Sequence, residues 1–232
     1  MPASSSTSDE GAPNVTSGAQ VAHDPAIDLP QGYPLDLQRD VIDGEMLHYH
    51  VRPIRPDDAQ RLIAFHHRLS QRSTYLRFFT YHPTLTAAEV ERFTCVDYVN
   101  RLALVAEIDD AIIAIGRFDR KVGDTEAEVA FVVADEFQHH GIGSLLLDEL
   151  VKAAWNRGIQ AFRSETLAEN KTMLDVFRHA GFPISSSVEW GTVTFHFSIT
   201  PTKEYQMALA QREATRRSPE VTRAPHPGVH PT

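Results

Sequence analysis

Leu62, Ile63, Phe65 and Leu69 recur at helical spacing within "PDDAQRLIAFHHRLS", so this segment is expected to be an amphipathic helix. A second, short helix is expected over "SQRSTYLRFF". A third should start in "TLTAAEVERFTCV", where Thr86 and Glu89 stand three residues apart as a capping box requires. The pattern then changes. "RLALVAEI", "AIIAIGRFDR" and "AEVAFVVA" are dense apolar runs separated by turn residues at Asp109-Asp110 and Gly123-Asp124, which predicts an antiparallel meander. Upstream, "LQRDVIDGEMLHYHVRPI" holds two extended runs around Asp43-Gly44, a hairpin signal. Downstream, a long helix over 141–157 carries Ile142, Leu146, Leu150 and Ala154 on one face. A strand near "AFRSETLA", a helix over 170–180 and two strands around Trp190-Gly191 complete the pattern. Helices gathered in one stretch, then strands, then a βαβ unit predict an α+β (mixed α/β) fold with a mostly antiparallel sheet rather than a doubly wound one.

The two ends differ from this middle. Residues 1–34 and 218–232 are rich in Ser, Thr, Ala, Gly and Pro, bury too little apolar surface to offset ordering, and are expected to be disordered. Between them lie a folded domain, 35–200, and a polar terminal helix, 201–217. The 232 residues carry a net charge of −9, a poor match to nucleic acid and a better one to basic partners. No apolar run approaches the ~20 residues of a membrane helix, and the N-terminus has no secretory pattern. Cys95, the only cysteine, allows no internal disulfide and no cysteine metal cluster, which fits a cytoplasmic setting. His48 and His50 alternate on one strand face, but no carboxylate or cysteine pattern completes a metal site, so no metal is expected.

The chemistry concentrates in "EVAFVVADEFQHHGIGSLLLDEL", residues 128–150. Gly141 and Gly143 stand where a helix begins, although glycine costs roughly 0.5–1 kcal/mol relative to alanine inside a helix. A helix N-terminus offers unpaired N–H groups and the positive end of its dipole, so small residues there suit the close approach of a phosphate. The pattern Gln138-x-x-Gly141-x-Gly143 is not a dinucleotide-binding G-x-G-x-x-G, because position 146 is Leu, nor a Walker loop, because no Gly-Lys-Ser/Thr follows.

"VVADEFQHHGIGSLLLDELVKAAWNRGI" resembles the coenzyme A-binding motif of the GNAT N-acetyltransferases, Gln/Arg-x-x-Gly-x-Gly/Ala. "ENKTMLDVFRHAGF" resembles the family's next motif, and the likeness runs over roughly residues 50 to 200. "LSQRSTYLRFFTYHPTLTAAEVERFTCVDYVNRLALVA" and "AEVAFVVAD" are similar to bacterial protein lysine acetyltransferases that modify acyl-CoA synthetases. The resemblance implies a GNAT fold, acetyl-CoA as donor and a protein lysine as acceptor, on an acyl-CoA synthetase. It also implies that backbone groups of Val132 and Val133 pair with the pantetheine arm. Gln138, His139, His140, Gly141, Ile142, Gly143 and Ser144 would surround the pyrophosphate, and Asn170 would contact the cofactor. Related enzymes can carry a ligand-sensing domain, for which this chain has no stretch outside 1–35 and 201–232. The chain departs from the family's pattern twice. His140 stands where many members have Arg or Lys, and Phe177 stands where many have a tyrosine that could protonate the leaving thiolate.

A lysine with a pKa of about 10.4 is a free amine only about once in a thousand at neutral pH, so its acylation needs a base. Glu126 and Glu128 share one face of a strand, and the pattern alone allows them to be catalytic or merely solvent-facing. The match of "AEVAF" to the lysine acetyltransferases favours Glu128, whose partial burial would raise its pKa. His66-His67 are expected as a surface or packing pair, and Arg77-Phe78-Phe79 as half core and half substrate wall. Trp190 is expected in the core or at a cleft lip, and Cys95 buried. A small-molecule amine acetyltransferase and a non-catalytic acyl-CoA sensor are the alternative readings.

Overall fold

The protein is described by a computed structural model that covers residues 29–44 and 46–216. Its strands are β1 (Arg39–Ile42), β2 (His48–Pro53), β3 (Arg101–Ile108), β4 (Ala111–Asp119), β5 (Glu126–Val133), β6 (Ala161–Leu167), β7 (Ile184–Glu189) and β8 (Thr192–Ser198). They form one sheet in the order β1-β2-β3-β4-β5-β6-β8-β7. Every pairing is antiparallel except β5 with β6, the ends of the βαβ unit. The helices are α1 (Ala59–Arg68), α2 (Gln71–Phe78), α3 (Ala87–Thr94), α4 (Ile142–Trp155), α5 (Lys171–Arg178) and α6 (Lys203–Thr215). The mixed, mostly antiparallel sheet expected from the sequence is present. None of the described helices is long and apolar enough to cross a membrane.

Burial explains the patterning. Leu102, Ala103, Leu104, Val105 and Ala106 are all buried because β3 is covered on both faces, which is why its run does not alternate. One face of the sheet packs Ala103, Val105 and Ile112 against Leu62, Phe65 and Leu69 of the α1 region. The other face receives α4, whose Ile142, Leu146, Leu150 and Ala154 are buried together with Phe131, Phe162, Phe177 and Phe197. Gly116 permits that contact, since a Cβ there would lie 2.8 Å from the Phe131 ring and 3.1 Å from Leu146 Cβ. The capping box at α3 forms, with Glu89 N–H donating to Thr86 Oγ1 at 3.3 Å and Thr86 N–H donating to Glu89 Oε2 at 2.8 Å.

Helix α6 is more than a polar terminus. Tyr205 stacks on Phe182 at 4.2 Å, and Arg212 and Arg216 reach the buried Asp148 of α4 at 2.7 and 3.1 Å. Arg39 of β1 joins this network through Glu149 and Glu213. Gly181, at φ 90°, lies so close under α6 that a Cβ would meet Ala208 and Tyr205 at 3.0 Å. The fold also starts slightly before Leu35: Tyr33 is buried, donates to Pro53 O at 3.0 Å and meets Tyr98 edge-on. Most of the two tails expected to be disordered lies outside the described residues.

Two single-residue expectations, a core Trp190 and a buried Cys95, are corrected, and the histidines find their places. Trp190 is fully exposed, because it sits at φ 49° in the β7–β8 turn and projects into solvent. Cys95 is exposed, as the residue that ends α3. The histidine pair divides: His66 is buried and His67 exposed. His50 pairs with Asp40 across β1–β2 at 2.8 Å.

A buried ion cluster fixes the start of α1. Arg52 donates to Asp58 through Nη1 and Nη2, at 2.7 and 2.8 Å, and to Glu107 at 2.7 Å. Arg55 N–H and Arg61 complete the set around Asp58. Burial alone would push the Asp58 carboxyl up, but the Arg52 hydrogen bonds and charge outweigh it and hold the carboxyl below its ordinary range. The stabilisation is therefore present above the usual aspartate pKa of about 3.9 and is lost as pH falls through the depressed folded value. Asp58→Asn should cost about 3 kcal/mol at neutral pH and should shrink the loss of stability on acidification. Urea unfolding at pH 7 and at pH 3 checks this, and an equal acid loss in both proteins would contradict it.

Candidate active site

The site follows from where β5 and β6 separate. They pair over Glu126/Ala161, Ala127/Phe162 and Glu128/Arg163, and no further. Beyond that point β6 continues on β8, while β5 keeps β4 as its partner as far as Val133. Ala134 N–H donates to Ile113 O at 2.9 Å, which sets the alternation along β5. Val132 turns its backbone groups toward Ile115 of β4, whereas Phe131 and Val133 turn theirs into the gap. The sequence reading placed Val132 and Val133 alike at this edge. The register leaves the backbone groups of Val133 and Phe131, and not those of Val132, facing the gap.

After β5 the chain makes a short 3-10 turn, Asp135–Phe137, and reaches α4 through two left-handed residues, His139 at φ 71° and Gly141 at φ 72°. This path aims the first N–H groups of α4 into a cleft of about 700 Å³. Gln138, His139, Gly141, Ile142, Gly143, Ser144 and Asn170 all line it, as do Val132 and Val133. A Cβ at Gly141 would meet nothing within 4 Å, so the backbone angle is what calls for glycine there. A Cβ at Gly143 would meet only Val176 Cγ2, at 3.6 Å, and its backbone is ordinary. The protein itself has no need of glycine at 143.

Other expected residues serve the frame of the cleft. Gln138 Nε2 donates to Val133 O at 3.2 Å and to Ser73 Oγ at 3.3 Å. His140 does not line the cleft, because its Nδ1 pairs with Asp43 Oδ2 of the β1–β2 turn at 2.9 Å. Asn170 caps α5, its Oδ1 accepting from Met173 N–H at 3.2 Å. Phe177 is fully buried among Phe131, Phe195 and Phe197, so it borders no solvent at all.

Sequence reasoning missed the strut that carries α2. Asp135 accepts from Ser70 N–H at 3.0 Å, Ser70 Oγ at 2.7 Å and Ser73 Oγ at 2.8 Å. Burial raises the Asp135 carboxyl, and these hydrogen bonds bring it below its ordinary range. The strut swings Arg72, Leu76 and Arg77 over the cleft, and Lys171 enters from α5. Only the acidic residue after "VVA" hinted at it, and its serine partners lie more than 60 residues upstream.

On the α1–α3 face of β5, a smaller apolar cavity of about 50 Å³ adjoins the cleft. Arg77 and Val132 border both spaces. Glu128 lies on this same face and is exposed rather than partly buried, opposite Asp119 of β4 and Arg163 of β6. Glu126 is engaged with His196 at 2.6 Å, whereas Glu128 has no hydrogen bond among the described residues. Two half-buried arginines face this region. Burial, then the charge of Arg117, lowers the Arg77 guanidinium, and burial lowers Arg117. Of the expected Arg-Phe-Phe wall, Arg77 lines both spaces, Phe78 lines the cavity, and Phe79 is exposed as the left-handed cap of α2.

The sequence profile of the acetyltransferase (GNAT) family matches residues 65–182. The chain is 30% identical over 176 residues to acetyltransferase Pat of Mycolicibacterium smegmatis, covering 73% of this chain and 52% of that protein. The chain thus spans about half the length of that relative. The GNAT domain of S. lividans PAT superposes with a TM-score of 0.68 at 40% identity, covering 72% of this chain and 99% of that one. The structure of yncA from Salmonella typhimurium, with its cofactor acetyl-CoA, shares the fold at 15% identity and a TM-score of 0.54, over 67% of this chain and 96% of that one.

The two glycines should respond differently to alanine. Gly141→Ala should lose about 1 kcal/mol, because its left-handed backbone is strained for any side chain. Gly143→Ala should keep or slightly raise stability, since alanine is the better helix former and the space is there. Thermal unfolding of the two variants checks the pair, and equal losses would contradict the assignment.

Proposed function

Because the chain belongs to the acetyltransferase (GNAT) family and is an N-acetyltransferase, we propose that it transfers the acetyl group of acetyl-CoA to a lysine side chain of a protein, an acyl-CoA synthetase, with Glu128 as general base. The observation that carries the mechanism is the open backbone edge of β5, which begins just past Glu128 at the junction of the cleft and the apolar cavity. The likeness to Pat-type enzymes supports the protein acceptor.

In this reading the donor's pyrophosphate sits on the N–H groups that begin α4, where the dipole favours negative charge. Arg72 and Lys171 add fixed positive charge along the cleft. The pantetheine arm extends along β5 and pairs with the backbone groups of Phe131 and Val133, as an added strand would. The acceptor lysine arrives on the α1–α3 face. Glu128, directly or through one water, takes a proton from the ammonium, and the amine nitrogen attacks the thioester carbonyl. A β5 N–H turned into the gap stabilises the oxyanion. The nitrogen gives up its remaining extra proton to solvent as collapse breaks the C–S bond, which leaves the neutral amide and releases coenzyme A as a thiolate. Phe177 offers no proton, so the thiolate leaves unprotonated and takes its proton from solvent. Glu128 is the better candidate than Glu126, whose carboxylate is held by His196. Acylation would remove the charge of the synthetase's lysine and with it that side chain's ion pairs.

Two experiments test this reading. Gly143→Asp should fold, since an acidic residue suits the first turn of a helix, yet abolish the rise in melting temperature that acetyl-CoA gives the parent. An undiminished shift would move the donor site elsewhere. Glu128→Gln should keep the acetyl-CoA shift and lose about 10²–10⁴-fold in turnover, with residual activity that climbs with pH as more lysine becomes free amine. The assay is acetylation of a purified acetyl-CoA synthetase, located by peptide mass spectrometry. A crippled Glu126→Gln beside a healthy Glu128→Gln would reassign the base.

A further inference from the structure

Arg77 and Arg117 differ from the other partly buried arginines of this protein. Arg52 is bonded to Asp58 and Glu107, Arg39 to Glu149 and Glu213, and Arg212 to Asp148. Among the described residues, Arg77 and Arg117 have neither an ion pair nor a hydrogen bond. Their guanidinium groups lie instead over phenylalanine rings, Arg77 over Phe78 at 5.2 Å and Arg117 over Phe93 at 4.4 Å. Both border the apolar cavity next to the donor cleft. Each is partly stripped of water, and the two repel one another. A desolvated cation without a partner is unfavourable unless something else supplies the anion.

The surrounding carboxylates do not supply it. Asp119 is bonded to Arg92 at 2.9 Å. Glu128 acts on both arginines through its charge but bonds to neither. Arg101 is nearby and is bonded to the carbonyls of Arg92 and Cys95. Arg77, Arg92, Arg101 and Arg117 thus meet Asp119 and Glu128 at this mouth, with the Arg163–Glu165 ion pair beside Glu128. Of these groups only Arg77 and Arg117 are cations without a bonded partner among the described residues. Donor phosphates do not account for Arg117 either, although Arg77 also borders the cleft. Arg117 does not line the cleft, and the helix start that suits phosphate lies beyond β5, with Arg72 and Lys171 nearer to hand.

We propose that Arg77 and Arg117 form a carboxylate subsite for the acceptor, so that the preferred target is a lysine with an aspartate or glutamate beside it on the protein surface. This rests on the reading of the site as a lysine acetyltransferase. The planar forks of two arginines suit a carboxylate, which they can hold bidentately, and the phenylalanine faces keep them flat. The carboxylate fixes the direction of approach and leaves the neighbouring ammonium facing Glu128. An acceptor without the acid leaves two desolvated cations unpaired, so it is rejected through that cost rather than by a clash.

The experiment measures kcat/KM with acetyl-CoA on lysine peptides that differ only in flanking residues, acidic, neutral or basic. A second arm uses free diamino acids against their carboxamides. The expected result is a preference of about ten- to a hundredfold for acidic over neutral flanks. Arg117→Gln should erase that preference, Arg117→Lys should keep part of it, and Arg117→Glu should turn it toward basic flanks. Acetyl-CoA affinity, measured by calorimetry, certifies that each variant is folded. If peptides are acetylated equally whatever their flanks, the subsite is wrong and the lysine acetyltransferase reading stands. If only carboxylate-bearing free amino acids are used, with Arg117→Gln removing their advantage, the subsite stands and the protein acceptor is wrong. If no carboxylate-bearing acceptor in either arm outpaces its neutral counterpart, the inference is overturned.

Discussion

Strands β5 and β6 run together for three residue pairs and then part. The separation leaves one side of β5 with backbone donors and acceptors that the sheet does not satisfy, at Phe131 and Val133. An unpaired strand edge within a fold is costly unless it is covered or paired. Here the chain continues from that edge into the Gln138–Gly141 loop and the start of α4, so an open strand and an open helix end line the same cleft. A long ligand with an amide-bearing arm and an anionic end could satisfy both. The site is less a set of catalytic side chains than a gap in the hydrogen bonding of the sheet.

Much of the remaining structure holds that gap open. The buried phenylalanines under β5 fix the strand from one face, with Gly116 leaving room for the Phe131 ring. Asp135 ties the loop to α2, and Gln138 ties it to Val133. The cluster around Arg52 and Asp58 sets the head of α1, the helix that roofs the apolar cavity. On the far side, α6 is bound to α4 through Asp148 and packed over Gly181. Both ion clusters are buried, so their value lies in fixing positions, since losing one partner strands the other charge.

Charge is distributed by the same logic. A net charge of −9 describes the chain but not the mouth of the apolar cavity, where Arg77, Arg92, Arg101 and Arg117 meet Asp119 and Glu128. A screened surface charge acts over roughly a Debye length of 8–10 Å, so a partner at this mouth feels the local groups more than the total.

The sequence by itself determined the elements and the place of the cleft. Periodicity located α1 and α4, the Thr86/Glu89 pair started α3, and Gly141 and Gly143 marked the helix end that opens on the cleft, because these signals act within a few residues of the chain. Tertiary structure decided which atoms face the cleft. The β4 register turned Val132's backbone away and Phe131's toward the gap. Asp43 drew His140 off the loop, and solvent took Trp190 and Cys95. It also joined Asp135 to Ser70 and Ser73, and brought Arg77 of α2 against Arg117 of β4. Strand alternation reverses with a shift of a single residue, and ion pairing depends on groups far apart in the chain. Neither is encoded locally, so both become visible only once the sheet has closed its register.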